Sequence, residues 1–269
     1  MPNRKAWGTL NQRTPSGAAP VDTPPNTLFG ANLWMWLNPT NIATPGGLVY
    51  WGDASGNNRY VQQTGAGPTV TTIGSLAAVD FTTAAGQGLT NVSSDPNWNL
   101  SLGGQTQITV WGVASFRSPT AAYGGFAAYG STNTASSYDA GSAWLGVQRN
   151  NTNDELLGAK DAGGGGPAIA ISPSATVYRF CTVWTGTEIY FYINNVLQAG
   201  YPVSLVPALT GPGPPTGLER MMVGAGISGG GALFYWDGKL GEFTMVVGMV
   251  PSAYQLACYD LNLKNKFGL

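Results

Sequence analysis

Few side chains in this 269-residue chain could do acid–base, nucleophilic or metal chemistry: 13 Asp or Glu, two Cys and no His. Without imidazole there is no Ser-His-Asp triad, no His-ligated zinc and no switch centred near neutral pH. Two thiols, Cys181 and Cys258, are too few for a Cys-rich metal site or a disulfide framework. Both lie in apolar runs, where buried free thiols are expected. Retaining glycoside hydrolysis needs two carboxyl groups about 5–5.5 Å apart, which on one strand means acids at i and i+2 or i+4. No such pair occurs. Asp237 and Glu242 are five apart and Asp154 and Glu155 are adjacent, although carboxylates from separate strands remain able to meet. Calcium would need several converging oxygens. Asp53, Asp80, Asp95, Asn97, Asp237 and Glu242 could contribute, but without any calcium-loop spacing. The expectation is therefore no catalytic residue, no metal and no cofactor.

Non-covalent chemistry is better represented. Sugar recognition needs an aromatic platform with amides nearby, because pyranose faces stack on rings while hydroxyls need donors and acceptors. Between Pro119 and Trp144 lie Tyr123, Phe126, Tyr129 and Tyr138 among Gly, Ala, Ser and Thr, followed by the amides Gln148, Asn150, Asn151 and Asn153. Trp98, Tyr123, Tyr129, Tyr138 and Gln148 are the candidate ligand contacts; the alternative for the rings is loop anchoring or subunit contact. Trp34, Trp36, Trp51, Trp111 and Trp184 sit in strand-like runs and are assigned to the core. Asp53, Ser55, Gly56 and Asn57 form a turn in which the Asp53 carboxylate is expected to accept backbone N–H groups.

The elements that position these residues read as β. Charged residues are 9% of the chain and the formal net charge is −1, against about 25% charged in an ordinary domain, so no basic footprint for nucleic acid is present. No apolar run approaches the ~18–20 residues of a membrane span, and Met1–Trp7 has no apolar stretch typical of a signal peptide. Residues 1–27 carry five prolines and are expected to be extended or irregular rather than helical. They read either as a tail or as an arm docking on a neighbouring subunit through Arg4, Lys5, Trp7 and Arg13. From residue 28 to 269 short apolar runs alternate with Gly, Asn, Pro and Ser clusters. In Gln107–Phe116 the apolar residues at 108, 110, 114 and 116 predict a half-buried strand with one wet face. Thr185-Gly186 joins two strand-like runs as a hairpin, and Asn194-Asn195 turns the chain again. Only the end is helical: Leu256, Tyr259 and Leu263 recur with helical spacing, after Pro251 or Ser252 and before Gly268. The fold class is all-β, a two-sheet antiparallel jelly-roll sandwich with one short C-terminal helix and an extended N-terminal arm.

Three blocks resemble a known family. Leu33–Leu37, Trp51-Gly52-Asp53-Ala54-Ser55-Gly56-Asn57 and Ala78–Phe81 are similar to the opening of concanavalin A-like (laminin-G-like) jelly rolls. Tyr190–Val196 resembles their middle hairpin. Trp236–Phe243, followed by Tyr259–Leu269, resembles their closing strand and helix. The resemblance runs over residues 30–269 and implies the fold, as found in bacteriophage surface proteins, lectins and glucanases, without fixing a ligand.

Taken with the missing catalytic pair, the expectation is a non-enzymatic virion structural protein, a phage capsid decoration or tail-surface protein. It would assemble with other virion proteins and with copies of itself as a homo-oligomer, a trimer being the working stoichiometry. Its place would be the virion surface, assembled in the host cytoplasm and extracellular after lysis, with weak binding of a cell-surface glycan compatible with that role. A bacterial carbohydrate-binding module or lectin is the alternative, and a glycoside hydrolase of the same fold the third reading.

Overall fold

The computed structural model describes residues 18–63, 67–82, 86–91, 105–117, 124–131, 143–149, 155–158, 169–170, 176–204, 219–228, 231–233 and 235–269. Two helices, α1 (Pro25–Phe29) and α2 (Ala253–Phe267), flank the strands. The strands are β1 (Leu33–Ala43), β2 (Tyr50–Asp53), β3 (Val61–Gln63), β4 (Thr69–Ile73), β5 (Leu76–Phe81), β6 (Leu89–Thr90), β7 (Ile108–Ala114), β8 (Gly124–Ser131), β9 (Ala143–Arg149) and β10 (Glu155–Gly158). They continue with β11 (Ile169–Ala170), β12 (Tyr178–Trp184), β13 (Glu188–Ile193), β14 (Val196–Leu197), β15 (Val203–Ser204), β16 (Glu219–Val223), β17 (Gly226–Ser228), β18 (Gly231–Leu233) and β19 (Gly238–Val247).

All pairings among the described residues are antiparallel, and apart from the separate β17–β18 pair they fall into two layers. In the helix-side layer β7 lies between β19 and β12, and β12 pairs with β13. The free edge of β19 takes β5 at its start and β1 at its end. The opposite layer runs β2, β3, β6, β16, β8, β9, β10. Strand β1 breaks register between Leu37 and Ile42, leaving β19 to pair with β2, and so joins the layers. This is the all-β sandwich expected from the alternation of short apolar runs.

Strand parity sorts side chains between two cores. Val110, Phe180, Phe191, Phe243 and Met245 of one layer meet Trp51, Val61, Leu89, Phe126, Tyr129 and Met221 of the other. Trp111, Val113, Cys181, Val183, Tyr192 and Val246 point the opposite way, against Leu256, Tyr259, Leu263 and Phe267 of α2 and Phe29 of α1. The wet face expected for β7 is thereby corrected: every residue of β7 is buried, because α2 covers the side that alternation left open. Helix α2 starts on a capping box, in which Ser252 accepts from the Gln255 N–H and the Gln255 side chain returns to Ser252, and ends at Gly268 in the left-handed region.

The last three residues of the Pro-rich segment depart from expectation, whereas residues 18–24 are non-helical as expected. Residues 25–27 are helical rather than extended, since Pro25 at the first helical position loses no hydrogen bond there and brings the right φ. Asp22 accepts from Asn262 (2.7 Å) and Asn265 (2.8 Å), and the Val21 N–H meets Cys258 Sγ at 3.4 Å, so this stretch lies on the chain's own α2. Arg4, Lys5, Trp7 and Arg13 fall outside the described residues. No described helix is long and apolar enough to cross a membrane.

Candidate functional site

Three polar assemblies stand out, and one of them is architectural. At the end of β2 the Asp53 carboxylate accepts from Trp36 N (2.9 Å), Ser55 N (2.9 Å), Ser55 Oγ (2.7 Å) and Arg59 N (3.0 Å). Gly56, at φ 91°, lets the loop reverse. The Asn57 amide then donates to Leu33 O (2.9 Å) and Trp34 O (3.1 Å). Asp53, Ser55, Gly56 and Asn57 thus clamp the β2 turn to β1, and the buried Arg59 lies over the Trp34 ring at 4.2 Å.

The second assembly lies on the outer face of the layer opposite the helix. Trp51, Val61 and Leu89 fill the core, so their neighbours Tyr50, Gln62 and Thr90 face outward by strand parity. Register carries that row across six strands, from Tyr50 through Gln62, Thr90, Met222 and Ala128 to the position of Trp144. Thr90 and Met222, in the middle, are buried, whereas Tyr50 and Gln62 at the β2–β3 end are partly exposed. There Tyr50 and the partly exposed Tyr60 pack ring to ring, centroids 4.8 Å apart and planes at 34°. Gly52 leaves room beside them: a Cβ on it would sit 3.3 Å from the Tyr50 ring and 3.4 Å from Asn41 Cβ. Two rings and two amides, Gln62 and Asn41, share this end of the face.

The third assembly is ionic. Arg117, just beyond β7, donates to Asp80 Oδ1 (2.5 Å), Asp237 Oδ1 (2.9 Å) and Phe81 O (2.8 Å). Burial works to lower the Arg117 pKa, but its hydrogen bonds and charge attraction to Asp237 and Asp80 outweigh that and raise it. Beside it opens a cleft of about 380 Å³ lined by Thr72, Ile73, Ser115, Arg117, Val177 and Lys239, among others.

The ring candidates chosen from sequence fare differently. Tyr129 is corrected: its strand turns it into the inter-sheet core, where it is 1% exposed and offers no platform. Gln148 lies in β9, its backbone opposite Gly125 and Leu157. Trp98, Tyr123 and Tyr138 fall outside the described residues, as do Asp95 and Asn97. Among the described residues no three His, Cys, Asp or Glu cluster as metal ligands, and Cys181 and Cys258 are free and buried. Sequence reasoning missed Tyr50 and Tyr60. The available signal was that Tyr50 adjoins the core Trp51, so it must face the other way.

No protein-family model matches this chain, and a search of curated proteins finds no match. Solved structures do match in fold. A Trypanosoma rangeli sialidase in complex with 2,3-difluoro-KDN aligns over 93% of this chain with TM-score 0.56 and 14% identity. The same sialidase with the inhibitor DANA aligns over 90% with TM-score 0.57 and 11% identity. This chain spans only 37% and 35% of those sialidase chains. Domain 4 of AbnA, a GH43 extracellular arabinanase from Geobacillus stearothermophilus, in complex with arabinotriose, aligns over 84% of this chain and 98% of its own, with TM-score 0.55 and 16% identity. At such identities the likeness concerns the fold, a β-sandwich that occurs in carbohydrate-active proteins. It adds nothing to the concanavalin A-like or phage readings.

The expectation that the chain is not an enzyme is corrected by the same finding. The matched chains are sialidases and part of an arabinanase, so this architecture does not stand apart from enzymes. The exclusion also rested on acids spaced along one strand, yet Asp80 of β5 and Asp237, next to β19, meet on one guanidinium from separate strands.

Proposed function

We propose that this chain binds carbohydrate non-covalently, on the outer face at the β2–β3 end, with Tyr50 and Tyr60 as the stacking platform and Gln62 and Asn41 as hydrogen-bonding partners. The observation that carries the reading is the partly exposed ring pair, 4.8 Å between centroids, beside side-chain amides. Rings supply apolar area for a sugar face at little entropic cost, and amides offer both a donor and an acceptor to hydroxyls. The fold likeness to an arabinanase domain in complex with arabinotriose supports the same class of ligand. Assembly on a virion has no comparable observation behind it and gives way to this reading.

Calorimetric titration with arabinotriose and other neutral oligosaccharides tests it. Binding is expected, and Tyr50→Ala and Tyr60→Ala should each weaken it by about tenfold, near 1.4 kcal/mol, with an unchanged thermal midpoint. No binding by any neutral oligosaccharide, or unaltered affinity in both variants, would overturn it.

A further inference from the structure

The ionic assembly lies on the other layer, away from the tyrosines, and its donors are incompletely used. Backbone pairing sets Ser115 opposite Lys239 (2.9 and 3.0 Å) and links Arg117 N to Asp237 O (2.9 Å). Ser115, Arg117, Asp237 and Lys239 therefore share the outer face of the helix-side layer, and Asp80 pairs with Lys239 across β5. A guanidinium has five N–H donors. Among the described residues, Nη1 of Arg117 spends both of its own on Phe81 O and Asp237, and Nη2 spends one on Asp80. That leaves two donors, Nε–H and one N–H of Nη2, and a guanidinium can hold a carboxylate through charge-assisted hydrogen bonds. The Arg117 side chain is 44% exposed. Lys239 Nζ donates to Thr72 O at 3.1 Å and keeps two further N–H groups.

We propose that the cleft of about 380 Å³ between the β4–β5 hairpin and the facing ends of β7 and β19 is a second binding site, for a small organic monocarboxylate held by Arg117 and Lys239. The volume lies within the range of small-molecule sites, roughly 300–1,000 Å³. The lining supplies two cations and the hydroxyls of Ser115 and Thr72, with Ile73 and Val177 as apolar wall for the ligand's body. Neither carboxylate lines the cleft. Asp80 and Asp237 sit behind the guanidinium and fix its orientation before a ligand arrives. A carboxylate, which meets both cations with charge-assisted hydrogen bonds, suits such a lining better than a neutral hydroxyl. The four charges of Arg117, Lys239, Asp80 and Asp237 sum to zero, so charge alone does not favour a dianion, and the apolar wall of Ile73 and Val177 suits an organic body that inorganic phosphate lacks.

The site does not depend on the tyrosine face, and its test separates the two. Ligand-observed NMR on the full chain, at fixed ionic strength and pH 8, compares sodium glucuronate, glucose and inorganic phosphate. Glucuronate is expected to bind, and glucose and phosphate to bind at least tenfold more weakly. Lys239→Gln and Lys239→Ala, on a partly exposed strand position, should each weaken glucuronate at least tenfold without lowering the thermal midpoint, while Tyr50→Ala leaves glucuronate unaffected. Equal responses to glucose and glucuronate in the Tyr50→Ala chain would overturn the site, as would glucuronate affinity unmoved in both Lys239 variants. Phosphate binding as tightly as glucuronate would overturn the assignment to a monocarboxylate.

Discussion

On its inner side the helix-side layer meets rings and aliphatic chains: Phe180 packs edge-on to Phe126 at 4.5 Å and 89°, and Phe243 stacks near Phe126 at 5.6 Å. On its outer side the same layer meets α2 through a mixed contact. Trp111 and Tyr259 pack edge to face at 5.3 Å, but Glu242, 1% exposed, accepts from Trp36 Nε1 (2.7 Å), Tyr259 OH (2.7 Å) and Lys266 Nζ (2.6 Å). Arg179 grips Asp260 through two hydrogen bonds, at 2.9 and 3.1 Å. Apolar burial is non-directional, and a sheet pair already fixed by its strand connections needs nothing more. A single helix laid on an apolar sheet has no such constraint and could settle a turn away. The two ion pairs give it one position, at the cost of desolvating charges.

The inner core should show the largest effect. Phe180→Ala removes a ring that touches Phe126 and crowds Gly112, where even a Cβ would lie 2.4 Å from both rings. A loss of about 3–5 kcal/mol is expected in denaturant unfolding, with β-sheet circular dichroism and α2 lost together. If α2 melts separately, the two cores are energetically independent and the comparison sharpens.

Lys266→Met attacks the outer contact. It strands the Glu242 carboxylate in a buried position, and removing one partner of such a pair costs about 3 kcal/mol, the low end of the range because the Lys266 side chain is 20% exposed. Glu242→Gln combined with Lys266→Met should regain most of that loss, since neither buried charge then remains. A silent single variant, or a double variant no better than the single, would show that the pair does not fix the helix.

The features legible in the sequence are those set by neighbours in the chain. The β12–β13 hairpin turns at Gly186, φ 95°, and Asn194 and Asn195 adopt φ of 51° and 64°, as residues tolerant of positive φ should. Ser252 and Gly268 bound α2 because capping is local. What depended on distant partners was not legible. The face of β7 that carries Thr109 and Val113 looks open to water in the sequence, although Trp111 between them is assigned to the core, because nothing near it announces α2. Tyr129 sits in a Gly- and Ala-rich run with loop-like texture, yet β16 and β9 pair on either side of it and make a core strand. Arg117 lies 37 and 120 residues from the aspartates that hold it, a spacing that no strand or helix period encodes.

Alkaline pH gives the smallest and most selective test of the outer contact. Tyr192 is pushed up to about 12, chiefly by burial and further by Cys181, and Tyr259 is raised well above 10 by burial and by Glu242. Unfolded tyrosines ionise near 10. Below pH 10 both states hold the phenolic protons and stability does not change on their account. From pH 10 upward the unfolded chain releases protons that the folded chain retains, so stability falls, and for Tyr192 the loss is complete near pH 12. Two units correspond to at most about 2–3 kcal/mol. Denaturant midpoints between pH 9 and 12 should therefore decline for the native chain, and Tyr192→Phe should flatten part of that decline without changing stability at pH 8 by more than about 1 kcal/mol. An unchanged slope in Tyr192→Phe would mean that Tyr192 ionises as freely in the folded protein as in the unfolded chain, and that the outer contact admits water where the helix should exclude it.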